Sequence, residues 1–459
     1  MVKKKDSKRV QELKDNSRKR SIQEGIFAAG KNSFGDNYIS PFAVAINTSS
    51  SLVALLTSIT GLLGPLSQIF SSRLIEKYSR KKIILKSIFL ESLMWIPLII
   101  IAILFYKGIF LNILPFILLV SFSIYIILWN VTNPPWFSWM GDIIDEKHRG
   151  RWFAKRKLIV GFVILILTIS SAFFLDYFEK NNWLMFGFMI LFFLALISRL
   201  ICFRIFKKTY EPKIKLEKGD YFSFWDFLIN ARKNNFGRFS IFKALLNSSI
   251  YIYASLITIY LLRYLEFSYL IYMIILLSQI LFSLIVLKLW GKFADRYGNY
   301  RVLYITTILI PIVPILWILF ESPIYLIFVP ALISGVSWVG FNLATNNFIY
   351  DNVSPKKRGF AISYYNMFNG IGIFFGAVIG AFLIKFLKTS FEPILLIFII
   401  SSLMSIVVVF FWIPQIKEIK KTEKFEGSKT FRRMIFKETK PTILEEVHEI
   451  MSINKYLKK

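Results

Sequence analysis

The chain has 459 residues, of which 55% are hydrophobic and 19% charged, and its formal net charge is +29. Soluble domains are about 45–50% apolar and about 25% charged, so the composition excludes an ordinary soluble protein and a disordered one. Binding to nucleic acid is disfavoured because long apolar segments separate the basic ones. The single cysteine, Cys202, excludes a disulfide framework and a Cys-x-x-Cys metal site.

A basic tail, residues 1–21, opens the chain and lacks the apolar core and cleavage site of a cleaved signal. Apolar segments of about 20 residues follow, the length that a helix needs to cross the hydrocarbon. We predict twelve spans: 22–46, 51–73, 83–106, 112–140, 153–177, 183–206, 239–263, 267–290, 302–320, 324–349, 360–385 and 390–413. The fold class is therefore an all-α polytopic membrane protein, because lipid leaves no partner for unpaired backbone groups.

Charge placement gives the orientation of these spans. Nearly all of the 57 Lys and Arg residues fall on the side that carries both termini. Basic loops stay in the cytoplasm, so both termini are predicted to be cytoplasmic. We expect an integral protein of the cytoplasmic (plasma, or cell inner) membrane, with the lipid bilayer as its surroundings.

The longest internal linker, residues 207–238, divides the spans into two six-helix halves, 22–206 and 239–413. Phe224, Trp225 and Arg232 indicate an interfacial helix within this cytoplasmic linker; a solvated linker is the alternative. Residues 414–459 form a basic cytoplasmic C-terminal tail, in which apolar residues at helical spacing over 443–451 predict an amphipathic helix.

Two loop motifs recur in equivalent places of the two halves. The loop after span two reads SRLIEKYSRKK from Ser72, and the loop after span eight reads GKFADRYGNYR from Gly291. The loops after spans four and ten, which begin at Asp142 and Asp351, both fit D-x6-R-G. Candidate gating residues in these motifs are Glu76, Lys77, Arg80, Asp142, Arg149, Gly291, Asp295, Arg296, Gly298, Asp351 and Arg358.

The same repeat aligns residues within the spans. Trp129-x3-Asn133 in span four corresponds to Trp338-x3-Asn342 in span ten. Asn32-Ser33 in span one can be aligned with Asn247-Ser248 in span seven.

With these motifs the chain resembles major facilitator superfamily transporters over residues 20–413. The segment from Gly291 to Gly298 is similar to the family's loop motif G-x-x-x-D-[RK]-x-G, whereas the first copy has Ser72, Glu76 and Ser79 at the corresponding positions. The resemblance implies two pseudo-symmetric six-helix halves, with substrate bound near the midplane. It also implies that the loop charges latch the outward-facing state, with Asp142 and Asp351 as partners; the alternative is that these basic loops only orient the chain.

Ionisable residues within spans are candidate functional residues, because burying them is costly. In a continuous helix Lys31 and Asp36 point about 140° apart, so we expect no pair between them, while Asn32 and Asp36 share a face. Asp36 is predicted to bind a proton or a cationic substrate, and Lys31 to pair with another helix, with Glu91 as one candidate. A buried network without a transport role is the alternative.

Polar and aromatic residues in other spans suit a substrate cavity. These candidates are Trp129, Asn130, Asn133, Asn247, Tyr251, Trp338, Asn342 and Asn346. For the tryptophans, a place at the membrane–water interface is the alternative.

The sequence thus predicts a secondary active transporter that moves a small solute by alternating access, with protons as the coupling ion in symport or antiport. A transport-inactive receptor or scaffold on the same fold is the alternative. A polytopic membrane enzyme is disfavoured, because the chain has no HExxH, phosphate-loop or His/Cys motif. We expect a monomer with no cofactor, no metal and no nucleic-acid partner.

Overall fold

The structure is a computed structural model that describes residues 8–144, 149–212, 228–229, 231–352, 358–387 and 392–418. Within these ranges no side chain is described at 72, 73, 76, 149–151, 154, 350, 351 and 358–361. The predicted helices of the linker and the C-terminal tail lie outside the described residues, apart from Leu228 and Ile229, which are helical and exposed, and the short turn from Ala231.

Every regular element in the described residues is helical. The first part of the chain contains α1 (Lys8–Phe34), α2 (Ile39–Ala45), α3 (Ser50–Lys77), α4 (Arg80–Leu93), α5 (Trp95–Tyr106), α6 (Leu114–Val131), α7 (Asn133–Ile143), α8 (Arg149–Lys180) and α9 (Leu184–Lys207). A 3₁₀ turn, Asp36–Tyr38, joins α1 to α2. Helix α1 begins at Lys8, within the predicted basic tail.

The second part continues with α10 (Asn235–Ala254), α11 (Tyr269–Tyr297), α12 (Asn299–Leu309), α13 (Val313–Leu319), α14 (Leu332–Asn352), α15 (Arg358–Phe386) and α16 (Pro393–Trp412). Shorter elements connect or extend these helices: Ala231–Lys233, Ile257–Ile259, Tyr260–Tyr264, Ile310–Ile312, Pro323–Leu326, Ile327–Ala331 and Ile413–Gln415.

Eleven of the described helical segments are long and apolar enough to cross a membrane. They correspond in order to predicted spans two to twelve, and the chain is an integral membrane protein. The first predicted span, 22–46, is not among the eleven; it consists of the end of α1, the 3₁₀ turn and α2. Three charged residues in this span, Glu24, Lys31 and Asp36, lower its hydropathy.

The chain divides into two compact units. The first comprises Met1–Gly219, Ala254–Met273 and Ile373–Lys388. In this unit α1 packs against α8 and α9, and α9 also packs against α4 and α5. Helix α9 therefore contacts the helices that carry most of the charged candidates of the first half.

The second unit comprises Asp220–Tyr253, Ile274–Gly372 and Thr389–Lys459. Within it α12 packs against α14, and α13 packs against α16. Ser401 in α16 donates a 2.6 Å hydrogen bond to the carbonyl of Ser249 in α10, which connects these two helices.

Within the first unit, Arg263 connects the segment after α10 to the start of α3. Its guanidinium donates to the Thr48 carbonyl at 2.9 Å and to the Ser50 hydroxyl at 3.2 Å. A third, longer contact reaches the carbonyl of Val44 in α2 at 3.5 Å. The arginine therefore holds the segment after α10 against the connection between α2 and α3.

Candidate functional site: a buried charge cluster beside a cavity

Helix α1 ends at Phe34, and this break places Asp36 beside Lys31. Gly35 packs directly on the indole of Trp95, and a β-carbon at this position would collide with that ring. The following 3₁₀ turn returns the Asp36 carboxylate to a distance of 2.7 Å from Lys31 Nζ. The prediction that these residues do not pair is wrong, because it assumed a continuous helix through position 36.

Two aromatic residues of α6 complete the surroundings of Lys31. Its ammonium donates to the Tyr125 hydroxyl at 3.0 Å, and that hydroxyl donates in turn to Asp36 Oδ1. The ammonium also lies over the Trp129 ring, 4.8 Å from the centroid. Lys31 is only 1% exposed, so these groups replace its water shell.

Glu91 in α4 is bound mainly by Arg199 in α9. Arg199 Nε and NH2 lie 2.9 and 2.6 Å from the same oxygen, Glu91 Oε2. The other oxygen, Oε1, is buried without a hydrogen bond and lies 3.8 Å from Lys31 Nζ. Lys31 therefore faces Glu91, as the sequence suggests, but Asp36 is its nearer partner.

The network continues along α1 to Glu24. This carboxylate lies 2.9 Å from Arg156 of α8 and 4.0 Å from Arg199. We call the whole set the charge cluster: Lys31, Arg156 and Arg199 with Glu24, Asp36 and Glu91, bridged by Tyr125. Its three formal positive charges match its three negative charges, which is the condition under which buried charges are tolerated.

A cavity of about 180 Å³ opens beside the charge cluster. Four candidates from the sequence line it, Lys31, Asn32, Trp129 and Asn133. Glu24, Arg156 and Arg199 supply charge, and apolar side chains complete the wall. Pockets for drug-sized ligands measure about 300–1,000 Å³, so this cavity suits a smaller solute.

Other candidates of the first half lie apart from the cavity. Asn130 is buried and uses its amide within the protein, since Gln68 donates to its oxygen at 2.9 Å and its nitrogen donates to the Ile126 carbonyl at 2.9 Å. Glu91 and Asp36 do not line the cavity directly and are reached through Lys31 and Arg199.

In the second unit, Asn247 is buried and donates to the side chain of Asn369. Tyr251 and Trp338 are half-buried, whereas Asn342 and Asn346 are exposed. Trp338, Asn342 and Asn346 follow one another at four-residue intervals and therefore share one face of α14.

The loop motif of the first half places Arg80 at the start of α4, fully buried. Its guanidinium contacts Asp142 Oδ2 at 2.6 Å, the Ser138 hydroxyl at 3.1 Å and the Pro212 carbonyl at 3.0 Å. Glu211 lies 3.6 Å away. Arg80 thus connects α4 to α7 and to the chain that follows α9, whereas Lys77 is exposed.

In the second motif, Gly298 has φ +93°, a conformation that glycine adopts without strain. It lets the chain turn directly from α11 into α12. Asp295 is exposed, and Arg296 lies against the Tyr297 ring at 5.4 Å. The side chains of Glu76, Arg149, Asp351 and Arg358 lie outside the described residues, so the pairing expected for Asp351 stays a prediction.

The sequence analysis does not predict five residues that make buried contacts in the structure. They are Glu24, Arg156 and Arg199 of the charge cluster, the bridging Tyr125, and Lys243. The basic ones lie towards span ends, where such charges also set topology. Arg199 and Lys243 nevertheless fall inside the predicted apolar segments 183–206 and 239–263. That placement was the available signal.

Comparisons with known proteins agree with the fold. A family model, that of the Major Facilitator Superfamily, matches residues 26–286 and 239–444. A search among curated proteins finds no match.

Solved structures of transporters are similar in fold. A variant of the nucleoside transporter NupG is 16% identical, with a TM-score of 0.63 over 88% of this chain and 100% of that one. A bacterial homologue of the iron transporter ferroportin, solved in an inward-facing state, is 14% identical, with a TM-score of 0.63 over 86% and 98%. At these identities the likeness shows the fold alone. Since the family model matches most of the chain, the protein belongs to the Major Facilitator Superfamily and is a membrane transporter rather than an enzyme.

Proposed function

We propose that this protein is a secondary active transporter that moves a small solute by alternating access and couples its movement to protons. The observation that carries the proposal is the contact of Asp36 with Lys31 and Tyr125 beside the cavity. We further propose the cytoplasmic membrane as its location, with both termini in the cytoplasm, on the basis of the distribution of basic loops.

Asp36 is the acid that a proton reaches most directly. Its side chain is 23% exposed, compared with 0% for Glu91 and 6% for Glu24. Protonating Asp36 removes one negative charge from a neutral cluster, so one positive charge is left without a full partner. Buried charges must be compensated, and the cavity therefore changes its preference for charged or polar solute groups when the proton binds.

Lys31 is the residue that transmits this change. It lines the cavity itself and contacts Asp36 at 2.7 Å, while Glu91 Oε1 remains 3.8 Å away. When Asp36 is neutral, Lys31 turns towards Glu91 or towards a solute acceptor. Coupling in this scheme is a competition for one ammonium group between two carboxylates and the solute.

Alternating access also needs contacts that break between states. We propose that Arg80 and Asp142 form such a contact on the cytoplasmic side, because their 2.6 Å pair holds α4 to α7 and Asp142 is 49% exposed. When the pair breaks, Asp142 returns to water, and the buried Arg80 keeps the Pro212 carbonyl and Glu211 as partners. In the second half we propose the corresponding role for Asp351, which the repeat aligns with Asp142, together with the loop motif that contains Asp295 and Arg296.

The experiment uses purified full-length protein. A thermal-shift screen against solute classes at two pH values first identifies a stabilising solute, because binding raises apparent stability by mass action. The protein is then placed in proteoliposomes that contain a pH-sensitive dye, and proton movement is recorded when that solute is added. The variants are Asp36→Asn and, as a matched control, Glu321→Gln, which neutralises an exposed acid outside the cluster.

Wild type and Glu321→Gln are expected to move protons when the solute is added, whereas Asp36→Asn moves none and still shows the thermal shift. Proton movement by Asp36→Asn at the wild-type level would refute the role of Asp36. Solute binding by the wild type without any flux of solute would instead identify the protein as a transport-inactive receptor.

A further inference from the structure

We propose that Lys243 and Trp338 form an oxyanion-binding site in the second unit, and that the transported solute carries a carboxylate or phosphate group. This inference rests on the proposed transport function and names the class of solute. Lys243 does not belong to the charge cluster.

Lys243 is a buried basic residue of the second unit. It lies in α10, eight residues from the start of the helix, and is 5% exposed. It forms no ion pair or hydrogen bond with any residue that the structure describes. A buried ammonium in this situation is costly, and such residues in membrane spans mark binding sites or ion paths.

The ammonium of Lys243 lies over two aromatic rings. Its ammonium lies 4.7 Å from the ring centroid of Trp338 and 4.3 Å from that of Phe341. The faces of these rings attract a cation but replace only part of the lost hydration. The ammonium therefore still requires an acceptor, and an oxyanion supplies both the charge and the hydrogen bonds.

The first half contains the same arrangement of a lysine over a tryptophan ring, and there the lysine binds carboxylates. Trp129 and Trp338 are equivalent in the repeat, and each has a lysine ammonium over its ring, Lys31 at 4.8 Å and Lys243 at 4.7 Å. Aligning Asn32 with Asn247 places the two lysines three residues apart, or about one helical turn. In the first half, Asp36 and Glu91 supply carboxylates to the lysine. No described residue supplies one to Lys243, and we infer that the solute does.

The site also has an approach. Trp338 begins a face of α14 that continues with Asn342 and Asn346, both exposed. Exposed amides in a membrane span do not favour contact with lipid tails, because their hydrogen-bonding groups would be left unpaired. This face therefore borders water, and a hydrated anion can travel along it to the half-buried edge of Trp338.

The test measures binding by the purified full chain, without a gradient. Apparent Tm is recorded with millimolar succinate, inorganic phosphate or glucose, each against sodium chloride at equal ionic strength. Lys243→Met is compared with wild type and with Lys385→Met, which removes an exposed lysine that also lies over an aromatic ring, at 5.3 Å from Phe386.

We expect succinate or phosphate to raise the apparent Tm of wild type and Lys385→Met by several degrees more than chloride and glucose do. Lys243→Met should lose this shift. Without ligand, Lys243→Met should unfold at the wild-type temperature or above it, because it removes an uncompensated buried charge.

Any one of three results overturns the assignment. No oxyanion raises the apparent Tm of the wild type more than chloride does, or Lys243→Met keeps the shift. The third is that unliganded Lys243→Met unfolds several degrees below wild type, which identifies a structural lysine. Transport of a neutral or cationic solute in proteoliposomes, with no oxyanion response, would leave the transport function intact and reject this site alone.

Discussion

Replacing Arg199 with Met tests whether the equal numbers of positive and negative charges in the charge cluster stabilise the folded protein. Arg199 places two nitrogens within 2.9 Å of Glu91 Oε2, and the side chains are 5% and 0% exposed. Losing the guanidinium leaves Glu91 buried without its main partner and the cluster with one excess negative charge. Breaking a buried pair in this way costs about 3–5 kcal/mol.

This cost can be expressed as a change in unfolding temperature. Unfolding entropy is about 2.1 cal/mol/K per residue, which for a chain of 459 residues amounts to about 1 kcal/mol/K. The apparent Tm of Arg199→Met should therefore fall by about 3–5 °C. Tryptophan fluorescence of the detergent-solubilised protein, recorded at one fixed heating rate, measures the shift.

Two further variants make the reasoning refutable. Arg204→Met removes an exposed arginine from the same helix and should leave the apparent Tm within about 1 °C of wild type. The double variant Glu91→Met with Arg199→Met removes both charges, so it should recover most of the loss. Charge neutrality does not stabilise the cluster if Arg199→Met unfolds at the same temperature as Arg204→Met, or if the double variant unfolds at or below the temperature of Arg199→Met.

Two other predictions concern the second loop motif. Asp295→Asn should slow solute transport in proteoliposomes while the yield of membrane-inserted protein stays at the wild-type level; undiminished transport would remove Asp295 from the gating mechanism. Gly298→Ala should cost about 1–3 kcal/mol, because φ +93° and ψ 159° lie in a region that is essentially restricted to glycine. Gly291→Ala, in the same motif but within a helix and with open space around the new β-carbon, should not destabilise the protein in the same thermal assay.

Hydropathy predicted the membrane helices well, because long apolar segments have few other uses. It was least informative at the first span, where the chain leaves the helix at Gly35. The contact of Lys31 with Asp36 depends on that break, where Gly35 packs against Trp95, which is 60 residues further along the chain. No periodicity in residues 22–46 encodes such a long-range contact.

Only part of the candidate site could be predicted from the sequence, because the rest also depends on long-range contacts. Single ionisable residues within spans indicated Lys31, Asp36 and Glu91, but partners near span ends were not distinguishable from charges that set topology. Arg199 lies inside an apolar segment, which marks it as unusual, but only the packing of α9 against α4 brings it to Glu91. The internal repeat contains a signal for Lys243, since it places this residue within one turn of the position equivalent to Lys31.

The contact made by Arg263 has a mechanical consequence. Its acceptors are the Thr48 carbonyl, the Ser50 hydroxyl and, at a longer distance, the Val44 carbonyl, and none of these groups titrates. Ser50 begins α3 and Arg80 follows its end, so two arginine contacts lie at opposite ends of a helix about 42 Å long. The contact of Arg80 uses a carboxylate and responds to charge, whereas that of Arg263 yields only when the backbone of residues 44–48 moves.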